Sequence, residues 1–413
     1  MDSSKQTSFT FLSLLCFALA DVRDGLGPFL GVYLQGQGWT PDTIGFVMTS
    51  GGLAGLVCTT PLGALADYTR NKRRVLACSV VLIVFGCGIL FLWNSAGIAA
   101  LSKILQGAAA ASIPPLLTGI TLGMTGQGGL TARLGVNEAW SHAGNMSTAA
   151  LSGLVGYTLG IPGVFFVMAF MGLLCLYSLG RINPAHIDHA VARGAARDRD
   201  DRERVSGLRP LLANRALMVV GATLFFFHLG NAALLPLLGQ SAVARFEVNP
   251  AAYTAGTVVL AQGTMIVAAL WGARTAKRRG YGVLFFVALT VLPLRGCVAG
   301  LWTNPWNIIP VQIMDGFGAG LLGVATPGLV ARLLAGSGRV NMGLGMVLTL
   351  QGIGASLSNT YGGLFAHHMS YSAAFLALAA APCAGLVLLV AMIRVLPDLG
   401  LALKSGTSFL QGK

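Results

Sequence analysis

Residues 43–93 read TIGFVMTSGGLAGLVCTTPLGALADYTRNKRRVLACSVVLIVFGCGILFLW. Neither the stretch from Thr43 to Ala66 nor that from Val75 to Trp93 contains a charge. Between them lie Asp67, Arg70, Lys72, Arg73 and Arg74. A helix needs about 20 mostly apolar residues to cross a bilayer core, because every backbone polar group there must be satisfied within the segment. Two such runs joined by a short basic turn read as a helical hairpin that crosses a membrane twice. The turn belongs on the side that retains Lys and Arg.

The rest of the chain extends this pattern. Of 413 residues, 54% are hydrophobic and 10% charged, and the mean hydropathy is +0.72. Soluble domains carry about 25% charged residues, so an ordinary soluble enzyme, a disordered chain and a nucleic-acid-binding protein are all excluded as primary readings. The net charge of +13 does not mark a nucleic-acid surface, since the positives sit in clusters between apolar runs. The 56 glycines follow no collagen-like period; they read as small residues that let membrane helices approach and move. Seven cysteines are scattered through apolar stretches without a CxxC pair and read as packing residues. Met1 to Lys5 leads into an apolar run with no small-residue cleavage site, so that run is expected to be a span and not a removable signal.

Twelve spans are expected, at 9–34, 43–66, 75–93, 98–121, 140–160, 163–181, 211–238, 252–272, 281–301, 306–330, 341–363 and 371–395. With the N-terminus inside, three basic connections share one side. They are Arg70 to Arg74, Arg181 to Arg215, and Arg274 to Arg279; only Arg245, beside Glu247, falls opposite. The expectation is a multi-pass protein of a bacterial inner (plasma) membrane with both termini cytoplasmic. It divides into a six-helix bundle over 1–181, a linker over 182–210, a second six-helix bundle over 211–395, and an unstructured tail over 396–413. The mixed-charge run Ala195 to Arg204 reads as a solvated linker or a short surface helix touching anionic lipid.

The halves echo each other. Lys103-x-x-Gln106-Gly107 in the fourth span corresponds to Gln312-x-x-Asp315-Gly316 in the tenth. Asp21-x-x-Asp24 with Pro28 corresponds to His228-x-x-Asn231 with Pro236. Arg133 and Asn137 in one half align with Arg332 and its following loop in the other. A repeated six-span unit is the architecture of alternating access, with the solute site between halves near mid-membrane.

At this point the chain resembles the major facilitator superfamily over about 9–395. Gly63-x-Leu65-x-Asp67-x-x-Arg70-Asn71-Lys72-Arg73-Arg74 is similar to the family's G-x-L-x-D-x-x-G-(R/K)-(R/K) loop, with Arg70 at the usual glycine and Asn71 at a usual basic position. Its second-half counterpart, Gly272 to Arg279, lacks the aspartate. The resemblance implies an all-α fold of 12 transmembrane helices in two pseudo-symmetric bundles. It also implies that Gly63, Asp67, Arg70, Lys72, Arg73 and Arg74 help form a cytoplasmic gate. Lys103-x-x-Gln106-Gly107 resembles a family pattern tied to proton coupling, with lysine in place of arginine. The glycine–proline pattern of exporters is only loosely matched by Gly153, Gly156, Gly160 and Pro162.

Charges deep in a span are costly and mark function by default. Asp24 lies 11 residues before Gln35, about 16 Å into the span. Asp21 and Asp24 share a helical face; Arg23 points away, toward an expected carboxylate on a neighbouring helix. Two carboxyl groups facing one cavity can hold and release a proton; a permanent ion pair between helices is the alternative. Gly25, Gly27 and Pro28 are expected to interrupt the helix there. His228 and Asn231 share a face of the seventh span, and an imidazole titrates near neutral pH. Arg295 in the ninth span and Asp315 in the tenth suggest a pair, beside Gln312. Glu138, His142 and Asn145 share a face at the start of the fifth span and are assigned to the cytoplasmic gate. No spacing suits a metal, no phosphate-binding G-x-x-x-x-G-K-(S/T) run is present, and no cofactor or nucleophile–base set is visible, so no enzyme is expected.

The resulting expectation is secondary transport of a small organic solute, driven by protons, by a monomer among membrane lipids. Siderophore or metabolite uptake, drug or metabolite efflux, and a non-transporting sensor or scaffold are the competing readings.

Overall fold

The computed structural model of the chain describes residues 3–93, 95–188, 191, 209–335 and 340–404. These residues are helical, with no strand among them. The helices of the N-terminal part are α1 (Ser3–Asp24), α2 (Gly27–Gly36), α3 (Pro41–Tyr68), α4 (Lys72–Leu92), α5 (Ala96–Ala111), α6 (Ile113–Leu159) and α7 (Gly163–Arg181). Then follow α8 (Arg209–Ala213), α9 (Arg215–Asn231), α10 (Leu234–Arg245), α11 (Pro250–Arg279), α12 (Tyr281–Leu301), α13 (Ile308–Leu333), α14 (Val340–His368), α15 (Tyr371–Val395) and α16 (Pro397–Leu403).

Nine segments among the described residues are long and apolar enough to cross a membrane. They account for the expected second, third, fourth, sixth to tenth and twelfth spans. The other three expected spans, 9–34, 140–160 and 341–363, lie on α1–α2, α6 and α14 with more polar sequences. The expected fourth and fifth spans are not separated by a loop. α6 runs through both, with one non-helical residue, Gly126, at φ 69° and ψ 176°.

Several expected spans are interrupted. Gly25, Leu26 and Gly27 all have positive φ, at 50°, 64° and 47°, and Pro28 opens α2. Leu26 is the one non-glycine residue in the left-handed region among those described, a conformation that side chains tolerate poorly and that clusters at functional sites. The seventh expected span is likewise split, between α9 and α10. The fourth breaks at Ser112, before Pro114 and Pro115, whose missing N–H is harmless only in a first helical turn.

The chain forms two compact units. One comprises Met1–Trp39, Ser50–Arg197 and Asn249–Gly256; the other comprises Thr40–Thr49, Asp198–Val248 and Thr257–Lys413. Each is built the same way. In the first, α1 packs on α6 and α7, and α4 packs on α5 and α7. In the second, α9 packs on α14 and α15, and α12 packs on α13 and α15. The repeated Gln106-Gly107 and Asp315-Gly316 pairs now have a physical reason. A methyl on Gly107 would collide with the carbonyl of Gly51 on α3, and one on Gly316 with that of Ala261 on α11. The core of the second unit joins Leu224, Phe227, Phe285, Leu289, Leu321 and Leu329 from α9, α12 and α13.

The tail differs from its expectation as an unstructured segment. Residues 397–403 form α16, which packs on α12, α13 and α15 and buries Leu399, Ala402 and Leu403. Arg332 Nη1 donates to the carbonyls of Ala402 at 3.2 Å and Lys404 at 2.5 Å, closing the end of that helix. Residues 405–413 and most of the expected linker, 189–190 and 192–208, lie outside the described residues.

Candidate functional site

The break in the first span positions a polar group of the first unit. Gln106 is buried on α5 and packs so closely against Gly25 that a methyl there would collide with its Oε1. Its Nε2 donates to Ser102 Oγ at 2.8 Å, and that hydroxyl donates to Gly86 O at 2.6 Å. Lys103 Nζ donates to Gln106 Oε1 at 3.3 Å, and its charge interacts with that of Asp24. Asp21 and Asp24 interact electrostatically, and Asp21 Oδ2 is buried with no hydrogen-bond partner among the described residues.

Arg23 does not reach a neighbouring helix, as its helical position suggested. Its Nε donates to Asp24 Oδ1 at 3.4 Å, and the two side chains are 50% and 56% exposed. α1 ends at Asp24, so the long guanidinium arm can fold along its own backbone and find the adjacent carboxylate.

The second unit assembles a tighter set. Arg295 on α12 is completely buried. Its Nη1 donates to Asp315 Oδ1 at 2.7 Å and to Asn231 Oδ1 at 2.5 Å, joining α12, α13 and α9. Arg295 Nε and Nη2 have no partner among the described residues, and neither do both polar atoms of the wholly buried Gln312. Unsatisfied polar groups in an apolar interior cost several kcal/mol each. The set can therefore both donate to and accept from a polar molecule. His228, one turn before Asn231, is partly buried and contacts Phe227 edge-on at 5.1 Å.

The residues assigned to the gate separate into distinct environments. Lys72 is buried and its Nζ donates to the carbonyls of Ala66 and Thr69, the end of α3. Arg73 Nε donates to Leu179 O at 2.8 Å, and its Nη2 to Leu179 O and Gly180 O, the end of α7. These cations satisfy carbonyls that a helix terminus leaves open and complement its negative dipole end. Arg70 and Arg74 are exposed, and a methyl at Gly63 would meet nothing. The Asp67 side chain lies outside the described ones. Glu138 is exposed, while His142 and Asn145 are partly buried.

The buried polar link on α6 is instead Asn137, which sequence periodicity did not single out as a site residue. It accepts from Arg133 Nε at 3.0 Å and donates to Thr121 Oγ1 at 3.0 Å. Arg133 Nη2 reaches Ser13 Oγ at 2.7 Å and Phe9 O at 3.0 Å on α1. Thr223 Oγ1 and Gln240 Oε1 in the second unit are also buried without a partner among the described residues; a lone polar residue within an apolar run was their only signal.

The comparisons agree with this architecture. A sequence model of the Major Facilitator Superfamily matches residues 10–294. Uncharacterized MFS-type transporters from two strains of Mycobacterium tuberculosis are each 39% identical over 384 residues, covering 92% of this chain and 92% of their own length. The solved structure of the nucleoside transporter NupG is similar with a TM-score of 0.73 and 16% identity, covering 94% of this chain and 99% of that one. That of a D-xylose–proton symporter is similar with a TM-score of 0.69 and 13% identity, covering 93% and 96%. At those identities the structural likeness is one of fold.

Proposed function

The chain belongs to the Major Facilitator Superfamily, and on that premise we propose that it is a proton-coupled secondary transporter moving a small organic solute by alternating access. The observation that carries this reading is the Arg295–Asp315–Asn231 set with the unsatisfied Gln312 amide beside it. In a transporter interior, such hydrogen-bonding capacity is what a polar solute exchanges for water. Donors and acceptors of both signs favour a zwitterionic, anionic or metal-chelate solute over a purely lipophilic cation.

Asp21, with Asp24, Lys103 and His228 as the other titratable groups, supplies the coupling proton in this reading. An ionised carboxylate must keep a cation or water in contact, and protonation removes that demand. Its protonation state thereby changes the cost of closing one side. The superfamily relatives of known cargo named above, a nucleoside transporter and a sugar–proton symporter, are compatible with such chemistry. The basic turns support an inner-membrane orientation with both termini cytoplasmic. We take the protein to act as a monomer of two six-helix bundles.

The test is a broad solute screen in proteoliposomes with an imposed pH gradient, comparing wild type with Asp21→Asn, Asp24→Asn and His228→Ala. Gradient-driven flux that is uncoupled in at least one variant is expected. Flux that ignores the gradient, with all three variants behaving as wild type, refutes the proton assignment. Absence of both flux and solute binding replaces transport with a sensor or scaffold role. The direction of accumulation separates uptake from efflux.

A further inference from the structure

Within the second unit, the start of α3 is held to α14 by a strip of small and polar contacts. A methyl on Gly45 would collide with the carbonyl of Asn359, and one on Gly363 with that of Pro41, so the two backbones touch. Thr49 Oγ1 donates to Ser356 O at 2.7 Å. Thr360 donates to Thr49 Oγ1 through its N–H at 3.2 Å and its hydroxyl at 2.8 Å. The positions in contact recur every three or four residues: Asp42, Gly45 and Thr49 on α3, and Ser356, Thr360, Gly363 and His367 on α14. That spacing sets one stripe along each helix, and small residues in such stripes let membrane helices approach closely.

The strip ends in a titratable pair. His367 Nδ1 lies 3.7 Å from Asp42 Oδ1, and the two side chains are 37% and 21% exposed, so protons from solution reach them. Asp42 is in the first turn of α3 and His367 in the last turn of α14. A negative charge at a helix start and a positive one at a helix end are each favoured by the macrodipole, so the charged pair suits both helices. The other ionisable groups at this end are His368, in ring contact with His367, and Arg245 at the end of α10, which lies over the Tyr371 ring of α15 and donates to Ser372 Oγ. The helices α9 and α13, which also pack on α14, carry Arg215 and His228, and Asp315 and Arg332. Of these, Asp315 is paired with Arg295, and Arg332 with the end of α16.

We infer that His367 and Asp42 form an acid-strengthened latch on this strip. An imidazole changes charge between about pH 5 and 8. Protonation of His367 turns a contact with a neutral ring into an ion pair, and the start of α3 is then held more firmly against α14. Loss of that proton leaves only the small-residue contacts and the Thr49 hydrogen bonds. The latch sits at the end of α3 away from the basic turn at Arg70 to Arg74. Its use in timing alternating access rests on the transport reading; the latch itself does not.

The experiment is hydrogen–deuterium exchange on the full chain in detergent, at about pH 5.5 and about pH 8, on either side of the imidazole range. Each variant is compared with wild type at the same pH, so that intrinsic exchange rates cancel. The readout is exchange across residues 41–49 and 356–368, with α12 as the internal reference. At the acid pH, His367→Gln and Asp42→Asn are each expected to exchange about two- to fivefold faster than wild type, the effect of losing a partly exposed ion pair. At the alkaline pH both are expected to match wild type. His368→Gln is expected to keep the wild-type behaviour at both. Equal exchange of His367→Gln and wild type at both pH values overturns the inference. So does a difference of the same size at both, which marks packing and not charge, or an acid-specific loss in His368→Gln as large as that in His367→Gln. No solute or gradient enters this readout, so a failed flux screen and a failed latch are separate results.

Discussion

Asp315→Asn isolates what holds a guanidinium in the interior of the second unit. The Arg295 side chain is 0% exposed and that of Asp315 11%, with Nη1 and Oδ1 2.7 Å apart. Asparagine keeps the shape and an accepting oxygen, so the change removes charge and little else. At about 4 Å between charge centres and an effective dielectric near 20, the attraction is about 4 kcal/mol. Breaking one side of a buried pair costs about 3–5 kcal/mol by a separate route, because the remaining charge is left uncompensated. For a unit of roughly 200 residues, each kcal/mol corresponds to about 2–4 °C, so a Tm lowered by roughly 8–16 °C is expected. The partner experiment is the double variant Arg295→Gln with Asp315→Asn, which leaves no charge to strand and should recover most of the loss. Thermal unfolding in detergent, followed by the monodisperse fraction on size exclusion, reads both. If Asp315→Asn falls within about 1 kcal/mol of wild type, the guanidinium does not depend on this carboxylate. If the double variant is no better than the single one, the loss comes from packing. Either result refutes the electrostatic account.

Gly107→Ala places a methyl against the Gly51 carbonyl and is expected to cost about 1–3 kcal/mol or prevent folding, whereas Gly97→Ala, with open space around it, should stay within about 0.5 kcal/mol; expression and Tm of the two decide it. Asn137→Ala leaves the Arg133 Nε without its acceptor and removes the donor to Thr121, whose hydroxyl keeps only its bond to Leu117 O, for an expected loss of about 1–3 kcal/mol in the same assay; an unchanged Tm would show that the bonds to α1 suffice. Arg332→Ala removes two bonds to the end of α16 and a cation stacked 4.3 Å from the Tyr281 ring centre. A loss of about 1.5–3 kcal/mol locally should speed amide exchange in α16 at least tenfold while α12 keeps its protection; unchanged exchange in α16 would show that apolar burial alone docks it.

Much of this molecule was legible because hydropathy is a local property. The uncharged runs flanking Arg70 to Arg74 announced two membrane helices without reference to any other part of the chain. The interruption at Gly25 to Gly27 was also legible, since glycine there removes the steric bar to positive φ. The docking of α16 was not. Seven residues cannot form a stable helix alone, and only the surface offered by α12, α13 and α15, against which Leu399, Ala402 and Leu403 are buried, makes folding favourable. Arg23 shows the opposite error. Its helical position was read as pointing to another helix, but the helix ends one residue later and the adjacent Asp24 was the nearer partner.

The chemistry divides along the same line. Asp21, Arg295, Gln312 and Asp315 stood out by composition alone, because a charge or amide within a long apolar run must be satisfied or used. By itself the sequence thus determined the class of protein, the placement of most of the spans, the internal repeat and a short roster of polar residues. Tertiary structure decided which of those residues meet. Arg295 and Asp315 lie on different helices, and Asn231 on a third, so their contact depends on how α9, α12 and α13 pack and on no local pattern. It likewise decided that Gln312 keeps unsatisfied hydrogen-bonding groups while Lys103, at the matching place in the repeat, donates to Gln106 at the α1 break. Two similar sequence motifs acquired different chemistry because hydrogen bonding is set by neighbours in space, and hydropathy only by neighbours in the chain.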